Sequence, residues 1–309
     1  MKNYFNFNLT GKKLLPVWVL FLVFFLVPYV TIIFKMKNIQ PGKAPSILFF
    51  FLIFILIIIS LALTFYIVKL IIENVNLKDK FIVFNGTFGK YIGTVLLGIF
   101  LSIITFGVYG AWFIRNIQRF FINNSTYNSN ALKFQGKGGK LLVIILLTCL
   151  IPMILLTIIM TRFVISNSGQ IPSLAIIQQL VMMLILIPYI YLGYKWMVNV
   201  DYKNFNISWK TDFWSSCGKI AIEMILSIVT IGIYAPLAIL RLYKYFTERT
   251  LAESDERKLG FGYDIDQLND FLFIWGQTLL TIITLGIYFP WAFCKTGSRI
   301  LGKTYLIEQ

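Results

Sequence analysis

Four apolar stretches constrain this chain more than any other feature of its sequence. They cover residues 14–34, 47–72, 141–161 and 174–198, so the shortest has 21 residues. A helix rises about 1.5 Å per residue, and each stretch can therefore cross about 30 Å of hydrocarbon. The run at residues 49–59 does not alternate between polar and apolar positions, as a strand of a membrane barrel would. We predict an all-α polytopic membrane protein with four full transmembrane helices.

The composition agrees with this class. The chain has 309 residues, 58% of them hydrophobic and 13% charged, whereas soluble domains have about a quarter charged. The net charge is +15, but the cations flank the apolar stretches, where they orient helices and meet lipid headgroups. We therefore expect lipid as the partner and no nucleic acid. The first stretch is too long for a signal-peptide core and is read as an uncleaved helix.

A short phrase of the form T-x-G-x-Y occurs three times, at residues 105–109, 230–234 and 284–288. An apolar arm precedes each copy and an arm that turns basic follows it. Glycine tolerates a sharp bend and proline lacks a backbone donor, so each phrase is predicted to break a helix. The candidate break residues are Gly107, Tyr109, Gly110, Gly232, Tyr234, Pro236, Gly286, Tyr288, Pro290 and Trp291.

Each broken element either crosses the membrane once or returns to its own side. If all three return and the amino end is cytoplasmic, the outer loops at 35–45 and 162–172 carry four of the 28 cations. If each crosses once, the cations divide almost evenly, 13 against 15. The first distribution is what the positive-inside rule expects. We predict three re-entrant or interfacial hairpins, whose depth the sequence leaves open, and both termini in the cytoplasm.

The order of these segments indicates internal repeats. Residues 1–133 form a module of two spans and a broken hairpin, and residues 134–250 follow the same plan. Residues 251–309 form a partial third module with a link and a hairpin only. We predict duplication, because both the order and the approximate spacing recur.

Several motifs resemble those of the YjgN-like family of bacterial inner-membrane proteins. They are an F-x-G opening at residues 84–86, the T-x-G-x-Y phrase with Trp112 and a basic arm, and a second F-x-G at 134–136. The third copy, T-L-G-I-Y-F-P-W at 284–291, fits the family motif best. The first has Ala111 in place of proline, and the second has Leu237 in place of tryptophan. The resemblance covers about residues 80–309 and implies an inner-membrane location, while it implies no activity.

The basic second arms are candidate contacts for anions or lipids. Cations spaced four residues apart share one helix face. They either bind lipid phosphates or an anionic solute, or they only anchor the helix ends by snorkelling. The broken helix ends offer a second anion site if their N–H groups stay unpaired. The candidate cations are Arg115, Arg119, Arg241, Lys244, Lys295, Arg299 and Lys303.

Two further polar residues interrupt apolar arms. Glu223 is either an intramembrane site or a partner of Lys219 one turn away, and Gln277 either lines a polar path or bonds between helices. The acidic segment at 248–270 is interpreted as a solvated cytoplasmic link.

The sequence predicts no enzyme, no metal site and no cofactor. Histidine is absent, the three cysteines lack metal-ligand spacing, and no phosphate-binding glycine loop is present. The leading functional hypothesis is passage of a small or anionic solute through the repeated hairpins. The alternative is a non-transporting scaffold or a protein that binds anionic lipid. The oligomeric state is left open.

Overall fold

The fold combines a small β-barrel with helical hairpins. A computed structural model describes residues 2–37, 46–166 and 172–308. Within these ranges the chain forms ten strands and thirteen α-helices. The strands are β1 (Asn3–Phe7), β2 (Val75–Leu77), β3 (Lys80–Phe84), β4 (Ser125–Tyr127), β5 (Asn130–Phe134), β6 (Asn199–Tyr202), β7 (Phe205–Trp209), β8 (Thr250–Glu253), β9 (Lys258–Tyr263) and β10 (Thr304–Glu308).

The helices form two long and three short hairpins. The first long hairpin consists of α1 (Gly11–Phe21), α2 (Val27–Lys37) and α3 (Ile47–Glu73). The second long hairpin consists of α6 (Gly138–Ile145), α7 (Ile151–Ser166), α8 (Pro172–Ile185) and α9 (Ile187–Met197). The short hairpins are α4 (Phe88–Ile104) with α5 (Gly110–Asn123), α10 (Phe213–Val229) with α11 (Ala235–Thr247), and α12 (Gln267–Ile283) with α13 (Phe289–Leu301).

The all-α prediction is wrong, because the ten strands close into an antiparallel barrel. Each strand has only three to six residues and lies in what the sequence presents as a polar link. Over so few positions, alternation of apolar and polar residues does not distinguish a strand from a loop. The argument against a barrel applied to membrane-spanning strands, which are about twice as long.

The four predicted apolar helices are present. Within the described residues, four helices are long and apolar enough to cross a membrane. The predicted outer loops include residues 38–45 and 167–171, which lie outside the described part of the chain. The four helices cover Gly11–Phe34, Ile47–Glu73, Gly138–Phe163 and Ile177–Met197.

Both long hairpins contain a π-helical turn on their first arm. The turns are Leu22–Leu26 and Leu146–Leu150, and a proline follows each at the second position, Pro28 and Pro152. Proline cannot donate to the carbonyl four residues earlier, which lies inside the turn in both cases. The wider turn therefore lies where proline removes a helical hydrogen bond.

Every hairpin is inserted between two strands that pair with each other. Phe7 pairs with Val75 across the first hairpin, and Phe84 pairs with Ser125 across the second. All five hairpins therefore leave the same end of the antiparallel barrel. Tight turns join the units at the other end, such as the pair Lys78 and Asp79 with positive φ. Strands β1 and β10 pair and close the barrel.

The hairpins also pack on one another in a ring. Helix α3 packs on α4, α5 on α6, α9 on α10, α11 on α12, and α13 on α1. All three predicted modules thus contribute to one barrel. The predicted boundaries after residues 133 and 250 lie inside β5 and β8. Duplication of the modules stays an interpretation.

A buried aromatic residue marks the junction of each barrel strand with its hairpin. Seven positions later, on the first helix, the side chain is buried as well. The aromatic rings also explain the two F-x-G motifs, because a Cβ at Gly86 or Gly136 would lie within 2.5 Å of the ring of Phe84 or Phe134. The five aromatic residues are Phe7, Phe84, Phe134, Trp209 and Tyr263, and their partners are Leu14, Tyr91, Leu141, Ser216 and Asp270.

Candidate functional site

The T-x-G-x-Y phrases form the turns between the arms of the three short hairpins. In the second hairpin the N–H of Tyr234 donates to Thr230 Oγ1 at 3.0 Å, and the N–H of Gly232 donates to the Ser227 carbonyl at 2.7 Å. The other two turns have the same bonds. The threonine hydroxyl thus binds the N–H of the tyrosine just before the second arm, while the glycine N–H closes the first arm.

The residue at each turn tip adopts an unfavourable backbone conformation. Phe106, Ile231 and Leu285 have φ of 49° to 50°, a left-handed region that side chains, above all β-branched ones, rarely adopt. Their exposed fractions are 99%, 93% and 90%. Three large apolar side chains are therefore fully exposed at positions where glycine would be less strained.

Behind the turn of the second short hairpin, a tyrosine joins two charges. Tyr234 OH donates to Glu223 Oε2 at 2.8 Å and accepts from Arg241 Nη1 at 2.8 Å. Lys219 Nζ lies 2.6 Å from Glu223 Oε1, and Arg241 Nη2 donates to Gln267 Oε1 at 2.9 Å. Glu223 is 1% exposed, so its charge is compensated inside the protein.

The same offsets recur around the other two tyrosines with different charges. Tyr288 OH donates to Gln277 Oε1 at 3.1 Å and accepts from Lys295 Nζ at 2.9 Å. In the first short hairpin Asn116 Nδ2 donates to Tyr109 OH at 3.2 Å. Gly98 lies at the position that Glu223 and Gln277 occupy in the other two short hairpins. The positions around the tyrosine hydroxyl are thus the same in all three short hairpins, while the charges of the residues at those positions differ.

Asp270 forms a second ionic cluster at the start of the third short hairpin. It is 1% exposed, and its Oδ1 lies 2.6 Å from both Arg299 Nε and Lys303 Nζ. Its Oδ2 accepts from the Asp266 N–H at 3.0 Å. Burial raises the pKa of Asp270, but the bonds from Lys303 and Arg299 outweigh it and hold the pKa below its usual range. The carboxylate is thus ionised and fully partnered at neutral pH.

A groove rich in cations runs beside the second short hairpin, and we call it the basic groove. It has a volume of about 360 Å³ and lies at the barrel end of α10 and α11. Within it, Lys244 Nζ lies 3.6 Å from Glu248, and the Arg249 guanidinium lies 3.7 Å from the centre of the Tyr245 ring. Its lining residues are Lys219, Arg241, Lys244, Tyr245, Glu248, Arg249, Ile265 and Gln267.

The seven predicted cations therefore fall into separate environments. Arg241 and Lys244 lie in the basic groove, Lys295 bonds Tyr288, and Arg299 and Lys303 bond Asp270. In the first hairpin, Arg119 lines a groove with Tyr109 and Asn116, while Arg115 has a buried Nε without a hydrogen-bond partner in the described part of the chain.

The candidate break residues lie in the turns or at the start of the second arms, and the helix ends next to them are occupied. The N–H of Ile233 donates to the Thr230 carbonyl, and that of Ala235 donates to the Gly232 carbonyl. Pro236 has no N–H to offer. In this hairpin the first donors of the second arm are thus used by the turn itself.

Tryptophans connect each short hairpin to the next hairpin of the ring. Trp18 Nε1 donates to the Gly286 carbonyl at 2.9 Å, and Trp275 Nε1 donates to the Ile233 carbonyl at 2.9 Å. The motif residues Trp112 and Trp291 instead pack on glycines that begin the following helices, Gly138 and Gly11. Where Leu237 replaces the tryptophan, Gln267 takes the place of the glycine.

The acidic link is more structured than the sequence indicates. Asp270 is buried, Asp264 bonds Lys2 at 2.7 Å on the outer face of the barrel, and Glu253 pairs with Lys210 at 2.9 Å. The spacing of seven residues after a junction aromatic is the signal that marks Asp270, but it is visible only once the junctions are known. Within the described residues no three His, Cys, Asp or Glu side chains form a group that could hold a metal ion.

Comparison with known proteins yields one partial match. The chain is 29% identical over 89 residues to the inner membrane protein YjgN of Salmonella typhimurium. The match covers 29% of this chain and 22% of that protein. No protein-family model matches the chain, and no solved structure matches it. The match supports a YjgN-like relationship, and with the four apolar helices it supports a membrane protein.

Proposed function

We propose that this protein lies in the bacterial inner membrane, keeps its barrel and both termini on the cytoplasmic side, and binds anionic lipid in the basic groove. The location follows the YjgN relative, whose name assigns it to the inner membrane. The orientation follows from the excess of cations on the barrel side under the positive-inside rule.

The observation that carries this proposal is the exposure of apolar side chains at the hairpin tips. In water, Phe106, Ile231 and Leu285 would add both backbone strain and exposed apolar surface. In hydrocarbon the same side chains are favourable, because apolar surface leaves water. This difference supports a position of the three short-hairpin tips inside the lipid.

The length of the second arms supports a position of the basic groove near the lipid phosphates. Helix α11 has 13 residues and is about 20 Å long, which is short of the roughly 30 Å of hydrocarbon. A hairpin with its tip in lipid thus returns to the side from which it came, and its barrel end lies near the phosphates. The basic groove is at that end.

The charges of the groove suit an anionic headgroup. Four cations, Lys219, Arg241, Lys244 and Arg249, line the groove with one carboxylate, Glu248. Lys219 also pairs with Glu223 behind it, so a positive excess remains among the lining residues. Cations next to a membrane attract anionic lipid, and guanidinium and ammonium groups bond phosphate oxygens directly.

Depth measurement tests the placement of the tips. Ile231→Cys is labelled with a small fluorophore in a cysteine-free background and reconstituted with lipids brominated at several depths. We expect the strongest quenching from bromines in the acyl region of one leaflet. The control Asn204→Cys, in the turn between β6 and β7, should respond only to a water-soluble quencher. Equal quenching of both sites from the water would contradict the proposal.

Lipid titration tests the groove. We expect phosphatidylglycerol to raise the melting temperature of the protein, and Lys244→Gln with Arg249→Gln to weaken that binding at least tenfold. The matched control Lys78→Gln with Lys203→Gln removes two cations from barrel turns and should leave binding unchanged. Equal binding by both double variants would exclude the groove.

Passage of a solute stays a hypothesis without support from the relative. An anionic solute would need free backbone N–H groups at the broken helix ends. In the second short hairpin these N–H groups donate to acceptors within the turn. Lipid binding is therefore the function that the geometry favours.

A further inference from the structure

The interior of the barrel is a second candidate site, separate from the basic groove. It contains a cavity of about 240 Å³. A barrel of eight strands is just filled by its own side chains, whereas wider barrels enclose ligand cavities. The wall consists of Phe5, Val75, Asn76, Leu77, Ile82, Tyr127, Leu132, Tyr202, Phe205, Ile207, Ala252, Leu259, Phe261 and Leu306. Asn76 is buried, and its Oδ1 has no hydrogen-bond partner in the described part of the chain.

The wall offers apolar surface to the cavity. Its two hydroxyl groups are already used by the backbone, since Tyr127 OH donates to the Leu77 carbonyl at 2.8 Å and Tyr202 OH donates to the Tyr127 carbonyl at 3.1 Å. A buried water needs two to four polar partners, and an apolar cavity of about 150 Å³ already accepts benzene. The chemistry of this wall selects an apolar occupant.

The cavity is also separated from the helical hairpins. Each junction aromatic follows a cavity-lining residue by two positions, and alternation along a strand places both on the same face. Phe7 follows Phe5, and Trp209 follows Ile207 in this way. The five buried junction rings thus lie between the cavity and the hairpins. The cavity is therefore a pocket that is closed at its hairpin end, and it does not continue between the helices.

We propose that the barrel interior binds an alkyl chain, either that of a free fatty acid or the tail of a membrane lipid. The wall has no cation for a headgroup, and apart from the Asn76 amide and the two bonded tyrosine hydroxyls it is apolar, so recognition rests mainly on the alkyl chain. This site does not depend on the basic groove, because neither its residues nor its chemistry overlap with that groove.

Photo-crosslinking in nanodiscs tests the proposal. The full-length protein is irradiated with a diazirine-bearing palmitate or, separately, with a phosphatidylglycerol that carries the diazirine on its tail. Mass spectrometry then maps the labelled residues. We expect label on wall residues such as Phe5, Ile207 and Phe261. Label from palmitate alone identifies a free fatty acid as the occupant, and label from both probes identifies a lipid tail.

A matched pair of variants separates the cavity from the outer surface. Ala252 is buried in the wall, whereas Ala131 is exposed on the outer face of β5. Ala252→Trp fills the cavity and should reduce wall labelling at least tenfold, while Ala131→Trp should not change it. If Ala252→Trp does not fold, Ala252→Leu and competition by unlabelled palmitate on the unaltered protein replace it. Label confined to the hairpins, or wall label that neither variant nor competitor lowers, overturns the proposal.

Discussion

Tyr234 shows how single side chains hold the short hairpins together. It joins Glu223 on the first arm to Arg241 on the second, and Arg241 continues to Gln267 at the start of the next hairpin. A buried carboxylate needs such partners, because an unpaired charge in the interior is strongly destabilising.

Removal of the tyrosine hydroxyl should therefore destabilise the protein by different amounts in the different short hairpins. We expect Tyr234→Phe to lower the free energy of unfolding by about 2 kcal/mol, since both of its partners are charged. Tyr109→Phe should cost about 1 kcal/mol or less, because Tyr109 has one neutral partner at 3.2 Å. Denaturant titration of both variants in the same detergent checks the difference, and equal losses would contradict the role of charge.

Two adjacent glycines test the packing of the motif tryptophan. A Cβ at Gly138 would lie 2.7 Å from Trp112 Cδ1, whereas one at Gly139 meets nothing within 4 Å. We expect Gly138→Ala to destabilise the protein by about 1–3 kcal/mol through overpacking. Gly139→Ala should stabilise the helix by about 0.5–1 kcal/mol. Addition of Trp112→Leu should rescue Gly138→Ala in thermal unfolding, and a failure to rescue would point to another cause.

The ionic cluster at Asp270 predicts a pH dependence. Because the pKa of Asp270 is lowered on folding, its contribution to stability is complete above the ordinary value of about 3.8 and is lost as the pH falls through the lower, folded value. Asp270→Asn should cost about 3 kcal/mol at pH 7, since it leaves Arg299 and Lys303 without a carboxylate. The difference between the proteins should be constant from pH 7 to about 5 and shrink below about 4. A difference that does not shrink between pH 5 and pH 3 would contradict this assignment.

At the scale of elements, the turn between the arms determines the shape of each short hairpin. Gly107, Gly232 and Gly286 have φ of 83° to 88°, which other residues adopt only with strain. The threonine before each turn accepts from the N–H of the tyrosine that precedes the second arm, so this donor is satisfied within the hairpin.

The backbone contribution of the turn can be isolated. A Cβ atom added at Gly232 or at Gly276 would have no neighbour within 4 Å, so a methyl group meets no clash at either site. Gly276 lies inside α12, and Gly276→Ala should stabilise the protein by about 0.5–1 kcal/mol. Gly232→Ala should destabilise it by about 1–2 kcal/mol through its positive φ alone. Thermal unfolding of the two variants should therefore shift in opposite directions, and shifts of the same sign would refute the explanation.

At the scale of the whole molecule, closure of the barrel brings together strands from the two ends of the sequence. Asn3 pairs with Leu306 and Tyr4 with Tyr305, and Lys2 bonds Asp264 across the outer face of the seam. Burial raises the pKa of Tyr127 and of Tyr202 inside the barrel, as expected for hydroxyls in apolar surroundings.

A designed disulfide tests this seam. Paired residues of an antiparallel ladder have Cα atoms about 4.5–5.5 Å apart, which a disulfide can bridge. In a background without Cys149, Cys217 and Cys294, we expect Asn3→Cys with Leu306→Cys to oxidise fully in air. The control Asn3→Cys with Ile207→Cys joins strands that are not neighbours and should stay reduced. Mass spectrometry after proteolysis distinguishes the two, and oxidation of the control alone would disprove the closed order.

The sequence predicted the features that depend on long or repeated patterns. Four apolar stretches predicted the four helices that are long and apolar enough to cross a membrane, and the T-x-G-x-Y phrases coincide with the three turns. The barrel was missed because strands such as Val75–Leu77 are too short for periodicity and pair over long separations. Of the two alternatives that the sequence leaves for Glu223, a partnership with Lys219 one helical turn away corresponds to an ion pair in the structure. The hydrogen bond from Arg241 to Gln267 joins two hairpins, so no local sequence pattern predicts it.

The seam between β1 and β10 also sets an order for biosynthesis. The ribosome makes Asn3–Phe7 before the apolar helices and Thr304–Glu308 after them, so those helices emerge while the sheet still lacks β10. Until then β1 and β9 each expose an edge that can pair with another polypeptide. Nascent chains arrested before Thr304 should for this reason depend on chaperones and be degraded faster than chains that reach it.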